Sequence, residues 1–212
     1  CALPICWLQR YALGELVELK GIAAGITNTN YFVTTTHGRY VLTLFEVLTL
    51  AELPYFLKLK SHLSRHGVAC PAPIADHTDS FASLLAGKPA CLVSCLHGGD
   101  VSSPNAAQCQ AVGEMLAQMH QAGQTFPLRM DNPRGPAWWS HTAAELYAAM
   151  PADDAAMLRE EIAFQGSHRF DFLPQGVIHA DLFKDNVLMD GDRIAGFIDF
   201  YYACNDIRSE EH

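Results

Sequence analysis

Residues 176–200 alternate short apolar runs with polar breaks, and this pattern constrains the fold more than any other stretch of the chain. Gly176-Val177-Ile178 leads into a loop carrying His179, Asp181 and Lys184, and the chain returns through Asn186 into Val187-Leu188-Met189. Asp190-Gly191 then separates this run from another at 194–197. An Asp-Gly pair between apolar runs is a strong tight-turn signal, so 186–189 is expected to pair with 194–199 as a hairpin. That pairing brings Asp199 beside Asn186 and opens the Asp181 loop onto the same cleft.

Two carboxylates and an amide gathered there suit phosphoryl transfer, which needs a carboxylate to receive the hydroxyl proton and a few hard oxygen ligands for Mg²⁺. Asp181 is the candidate base, and Asn186 and Asp199 are the candidate metal ligands. A lone H-x-D reads equally well as a turn capped by Asp, and a buried I-D-F as an Asp satisfied by backbone amides. The two in order, with a hairpin between them, favour the catalytic reading. His179 is expected to brace the loop by hydrogen bonds rather than act on substrate. Lys184 is placed either in solvent or at the γ-phosphate.

The pattern H-x-D-x-x-x-x-N followed by I-D-F, met by His179, Asp181, Asn186, Ile198, Asp199 and Phe200, resembles the aminoglycoside phosphotransferase-like superfamily of small-molecule kinases. Residues 21–33, residues 40–46 and the segments VIHADLFKDNVL and FIDFYYACND are similar to its homoserine kinase branch. The resemblance implies an α+β, two-lobed, protein-kinase-like fold. A small antiparallel-sheet lobe (1–96) would bind the nucleotide, and a mainly helical catalytic lobe (97–212) would follow, truncated at its C-terminus. It also implies ATP and Mg²⁺ as cofactors and L-homoserine as the small-molecule partner. A choline or aminoglycoside type of acceptor is the alternative, as is a truncated nucleotide-binding fragment without turnover. Most superfamily members carry a Lys on the third strand to hold the α- and β-phosphates, whereas Thr43 stands near that place here, as in the homoserine kinase branch. Lys20 and Lys58 are expected at the surface and are not assigned to the phosphates.

The formal charge of −9 repels phosphate backbones and anionic lipid, which argues against nucleic-acid or membrane partners. ATP is therefore expected to be held by local dipoles and Mg²⁺. No stretch approaches the roughly 20 apolar residues of a membrane span, and residues 1–13 lack the basic leader of a signal peptide. Seven cysteines at 1, 6, 70, 91, 95, 109 and 204, without C-x-x-C spacing, suit reduced thiols in a cytoplasm, with neither zinc nor disulfides. The chain begins with Cys rather than Met and is expected to be incomplete.

Strands are expected at 15–21, 31–36 and 39–46, with a glycine-containing turn at 21–30. That turn alone reads as an ordinary hairpin, but the resemblance makes Gly25, Asn28, Thr29 and Asn30 phosphate-binding candidates. Thr49 and Glu52 have capping-box spacing ahead of a helix that ends before Gly67. Strands at 80–85 and 90–96 flank the turn 86–88, and five strands with one helix resemble a kinase small lobe. The glycine-rich stretch 96–100 reads as an interlobe hinge, with backbone groups from Ser94 to Leu96 offered to adenine. Ser103-Pro104 is expected to open a helix running to Gly123. Trp138 and Trp139 precede a helix at 140–149 and are expected to pack between helices. Asp153 and Asp154 sit in the first turn of the helix after Pro151.

Overall fold

Period-two alternation of apolar residues builds the first layer of the computed structural model, which describes residues 3–23, 27–168 and 172–211. Strands β1 (Leu16–Ile22), β2 (Thr29–Thr35) and β3 (Gly38–Leu44) are successive antiparallel neighbours. β3 pairs with β5 (Lys88–Ser94), which pairs with β4 (Ala82–Leu85), giving the order β1-β2-β3-β5-β4. Successive side chains face opposite sides of a sheet. Leu42 and Leu92 therefore join Trp7 and Leu8 of helix α1 (Leu3–Leu8) on one face, while Cys91 and Val93 meet Phe45 on the other.

Helix α2 (Leu53–Arg65) covers that second face with Leu53 and Leu57. Its Tyr55, Phe56, Leu59 and Leu63 pack instead with Met119, Val177, Val187, Phe197 and Phe200 from the second half of the chain, so one helix serves both layers. Only half of the expected capping box forms at its start. The Glu52 carboxylate accepts from the Thr49 N–H at 2.9 Å, but the Thr49 hydroxyl donates to that same carboxylate at 2.7 Å instead of accepting from the helix.

Two helix starts differ from the sequence reading. Helix α3 (Ala106–Gly123) is capped by Asn105, not Ser103: the Asn105 side chain accepts from the Gln108 N–H at 2.9 Å, and Gln108 Oε1 accepts from the Asn105 N–H at 3.0 Å. This reciprocal pair satisfies two N-terminal donors at once. Helix α4 (Pro136–Leu146) starts at the Gly135-Pro136 step, where the proline ring presets a helical φ. Trp138 and Trp139 consequently lie inside the helix, where they line a cavity of about 500 Å³ between α4 and α5 (Ala152–Ser167).

In the second half, β6 (Gln175–Ile178) pairs with β9 (Cys204–Ile207), and β7 (Val187–Asp190) forms the expected hairpin with β8 (Arg193–Phe197). Asp190 pairs with Arg193, so the two-residue loop is Gly191-Asp192, one position later than Asp190-Gly191, with Gly191 at φ +63°. The 96–100 connector is fastened to this hairpin. Gly99 and Met189 exchange backbone hydrogen bonds of 3.0 and 2.8 Å, and a Cβ on Gly98, whose φ is +130°, would lie 2.7 Å from the Met189 oxygen. Only glycine fits that approach.

The expectation of uniformly reduced thiols is corrected at Cys6, which is disulfide-bonded; its scattered position in the sequence carries no pairing signal. Cys70, Cys91, Cys95, Cys109 and Cys204 are free. Among the described residues, no helix is long and apolar enough to cross a membrane.

Candidate active site

His179 follows β6 and is fully buried. Its Nε2 lies 2.8 Å from the Ile198 carbonyl oxygen, which can only accept, so Nε2 carries the proton. Burial pushes the His179 pKa down, and the ring is held as a neutral brace between the catalytic loop and the Asp199 segment. Ala180 takes a left-handed φ of +61°. The N–H groups of His179 and Ala180 both point at the Glu211 carboxylate, at 2.8 and 2.9 Å, and His120 Nε2 lies 3.0 Å from it. Burial alone would raise the Glu211 pKa, but the hydrogen bonds from His120, His179 and Ala180 outweigh it and hold the carboxyl below its ordinary range. Glu211 has no local signature, because its partners lie more than 30 positions away.

Asp181 and Asn186 are joined directly. Asn186 Nδ2 donates to the Asp181 carbonyl oxygen at 2.7 Å and to its Oδ2 at 3.2 Å, which orients the amide so that Oδ1 is the atom left for another partner. Across the hairpin, the Ile198 N–H donates to the Asn186 carbonyl at 2.9 Å, and this bond sets Asp199 next to the Asn186 frame. Asp199 has left-handed φ 61° and ψ 55°. Crowding by protein raises its pKa, the Asp181 carboxylate raises it further, and Lys60 opposes both. Such an arrangement favours a bound cation, and Asn186 Oδ1 with the Asp199 carboxylate supplies the hard oxygen donors that Mg²⁺ takes.

Lys60 is the cation the sequence reading passed over. It is 3% exposed, donates from Nζ to the Tyr201 hydroxyl at 2.8 Å and sits 4.5 Å from that ring's centroid. The same hydroxyl lies 3.7 Å from Cys91 Sγ in β5, so Lys60 and Tyr201 join α2, the sheet and the Asp199 segment at one point. Burial lowers the lysine pKa, opposed by neighbouring acidic groups that include Asp199. A signal was present: Lys60 continues the Leu53–Leu57 stripe of α2 at helical spacing, on the face that packs against the sheet.

The proposed nucleotide contacts are distributed differently. Gly25 lies outside the described residues, and Asn28 sits in the bend just before β2. The Thr29 hydroxyl donates to Glu46 at 2.8 Å, and Asn30 Oδ1 accepts from the Thr43 hydroxyl at 2.8 Å, so both side chains are engaged within the sheet. Ser94 is likewise engaged: its N–H donates to the Ala72 oxygen at 2.8 Å and its Oγ accepts from the Ala72 N–H at 2.9 Å. The Leu96 N–H, by contrast, meets no protein acceptor among the described residues. Lys184 Nζ reaches the Ser102 carbonyl at 3.2 Å and is exposed. Asp206, buried, accepts from Asn132 Nδ2 at 2.7 Å and so braces the 129–135 segment.

Residues 18–211 match the phosphotransferase enzyme family (APH). The homoserine kinase of Neisseria meningitidis serogroup B is 58% identical over 198 residues, which is 93% of this chain and 65% of that protein. The homoserine kinase of Methylobacillus flagellatus is 52% identical over 200 residues, 94% of this chain and 63% of that protein. The chain thus spans less than two thirds of the length of these relatives. Among solved structures, the amicoumacin kinase hAmiN in complex with AMP-PNP, Ca²⁺ and Ami superposes with a TM-score of 0.73 at 20% identity, covering 96% of this chain and 65% of that one. Spectinomycin phosphotransferase APH(9)-Ia in complex with ADP and spectinomycin gives 0.71 at 14% identity, covering 98% and 70%. These likenesses establish the fold: an antiparallel sheet layer joined to helices in the α+β, kinase-like arrangement.

Proposed function

The chain belongs to the phosphotransferase enzyme family, and from that membership we propose that it transfers the γ-phosphate of ATP to the side-chain hydroxyl of L-homoserine. The observation that carries this reading is the Asn186 frame. One residue bonds Asp181 through its side chain and Ile198 through its backbone, holding a candidate base and two oxygen donors in fixed relation. The choice of acceptor is supported by similarity to homoserine kinases at 58% and 52% identity over more than nine tenths of the chain.

Asp181 orients the acceptor hydroxyl and receives its proton. Asn186 Nδ2 engages Oδ2, which leaves Oδ1 for that hydroxyl. Asn186 Oδ1 and Asp199 would hold Mg²⁺, which when bound would neutralise charge on the phosphate oxygens. The raised pKa of Asp199 fits this donor set, because a bound cation relieves the repulsion from Asp181. Lys60 opposes the rise in the Asp199 pKa and so favours its ionised form. In this reading the adenine meets the Leu96 N–H and the phosphates lie near Asn28, with residues 1–96 as the nucleotide lobe and 97–212 as the catalytic lobe.

Mg²⁺-dependent ADP release with L-homoserine, choline, kanamycin or no acceptor tests the reading. Turnover with L-homoserine is the expected result; turnover with choline or kanamycin in its place overturns the choice of acceptor while leaving the reaction type standing.

A further inference from the structure

Segment 129–135 is fastened to the strand that follows Asp199. The Asn205 N–H donates to the Met130 carbonyl at 2.7 Å, the Met130 N–H donates to Asn205 Oδ1 at 3.0 Å, and Asn132 Nδ2 reaches Asp206 at 2.7 Å. Asn132 Oδ1 then accepts from the Arg134 N–H at 2.9 Å, an Asx turn that fixes the start of the arginine side chain. The guanidinium lies 4.4 Å from the centroid of the Tyr202 ring, with Nη2 3.3 Å from the Tyr202 hydroxyl. Tyr202 closes the short 3₁₀ turn that opens immediately after Asp199. An exposed arginine is thereby held at one place on the turn that follows Asp199.

Arg134 has no carboxylate partner among the described residues, whereas Arg129 is paired with Asp131 at 3.1 Å and Arg193 with Asp190 at 3.0 Å. A guanidinium laid on an aromatic face keeps an outer N–H edge suited to a planar carboxylate. The candidate site gathers the carboxylates of Asp181, Asp185 and Asp199, and the nearby Lys60 is buried in α2 with its Nζ on the Tyr201 hydroxyl. A triphosphate adds to that field, and an acceptor carrying its own carboxylate meets repulsion unless a fixed cation receives it.

We propose that Arg134, held on Tyr202, grips the α-carboxylate of the acceptor and selects a hydroxyl-bearing α-amino acid over amino alcohols without a carboxylate. The proposal rests on the phosphoryl-transfer reading above. It assigns specificity to a residue outside the H-x-D and I-D-F segments, with Tyr202 and Asn132 as its positioning residues.

The test compares L-homoserine with 3-aminopropan-1-ol, which differs from it only in lacking the carboxylate. For the wild type, Arg134→Gln and Arg134→Lys, kcat/KM is measured for both acceptors, and KM for ATP is measured alongside. Arg134→Gln is expected to lower the homoserine-to-aminopropanol ratio of kcat/KM by about 100-fold, with KM for ATP held within about two-fold and part of the ratio restored by lysine. An equal loss on both acceptors, which a merely structural role would produce, overturns the proposal, as does an unchanged ratio. A wild type that turns over neither acceptor counts against the reaction instead. Calorimetric binding of L-homoserine to wild type and Arg134→Gln then decides the carboxylate contact: weaker binding by the variant upholds it, and equal affinity overturns it.

Discussion

Asn186 Nδ2 lies 2.7 Å from the carbonyl oxygen of Asp181 and 3.2 Å from its Oδ2, so a single amide sets both the backbone of the catalytic loop and the orientation of its carboxylate. The same amide leaves Oδ1 for another partner, so in the proposed reading the position of the base would be tied to a bound cation.

Replacing Asn186 with Ala removes both functions at once. Turnover is expected to fall about 100-fold, with the Mg²⁺ concentration for half-maximal rate rising at least about 10-fold. A Mg²⁺ titration of ADP release at saturating nucleotide reads both; an unmoved half-maximal concentration would remove Asn186 from the metal site.

Lys60 opposes the upward shift of the Asp199 pKa, so Lys60→Met lets that pKa climb further. The proposed cation site needs Asp199 ionised. The acidic limb of the pH profile of kcat/KM for ATP is therefore expected to move to higher pH in the variant, with activity retained at the alkaline end. Folding is not expected to suffer greatly, because burying an ammonium is itself costly and methionine fills similar space. Superimposable pH profiles would show that Lys60 does not act on Asp199.

Glu211 accepts from two backbone N–H groups of the catalytic loop, so Glu211→Ala leaves buried donors unsatisfied and should cost about 1–3 kcal/mol of stability. Its pKa is lower in the folded chain than in the unfolded one. The stabilising contribution is therefore complete above the unfolded value of about 4.3 and disappears as pH falls through the folded value. Urea unfolding between neutral pH and pH 3 should show wild type losing more stability on acidification than Glu211→Gln. Parallel curves would contradict an ionised Glu211 in this role.

The features read correctly from sequence are those that local spacing determines. The β7–β8 hairpin is written in the alternation of 187–197, and the nearness of Asp181 and Asn186 follows from the one short loop that joins them. Helix starts were harder, because Ser103-Pro104 and Asn105 are competing caps and Gln108, three positions on, decides between them. Glu211 at the His179 backbone and Arg134 on Tyr202 join residues 32 and 68 positions apart, and neither contact has a local signature. Lys60 stood in plain view on an apolar stripe, yet a lysine there reads as surface charge until the sheet is seen to cover it.

Asp181 is the residue on which the proposed chemistry turns. The most direct measurement is phosphorylation of L-homoserine by wild type and Asp181→Asn at saturating Mg²⁺ and ATP, with product followed by ³¹P resonance and nucleotide affinity measured in parallel. The expected result is O-phosphohomoserine from the wild type and a loss of about 10³-fold in kcat for the variant, with ATP bound within about two-fold of the wild-type affinity. A variant that phosphorylates at the wild-type rate would contradict the assignment of Asp181 as base.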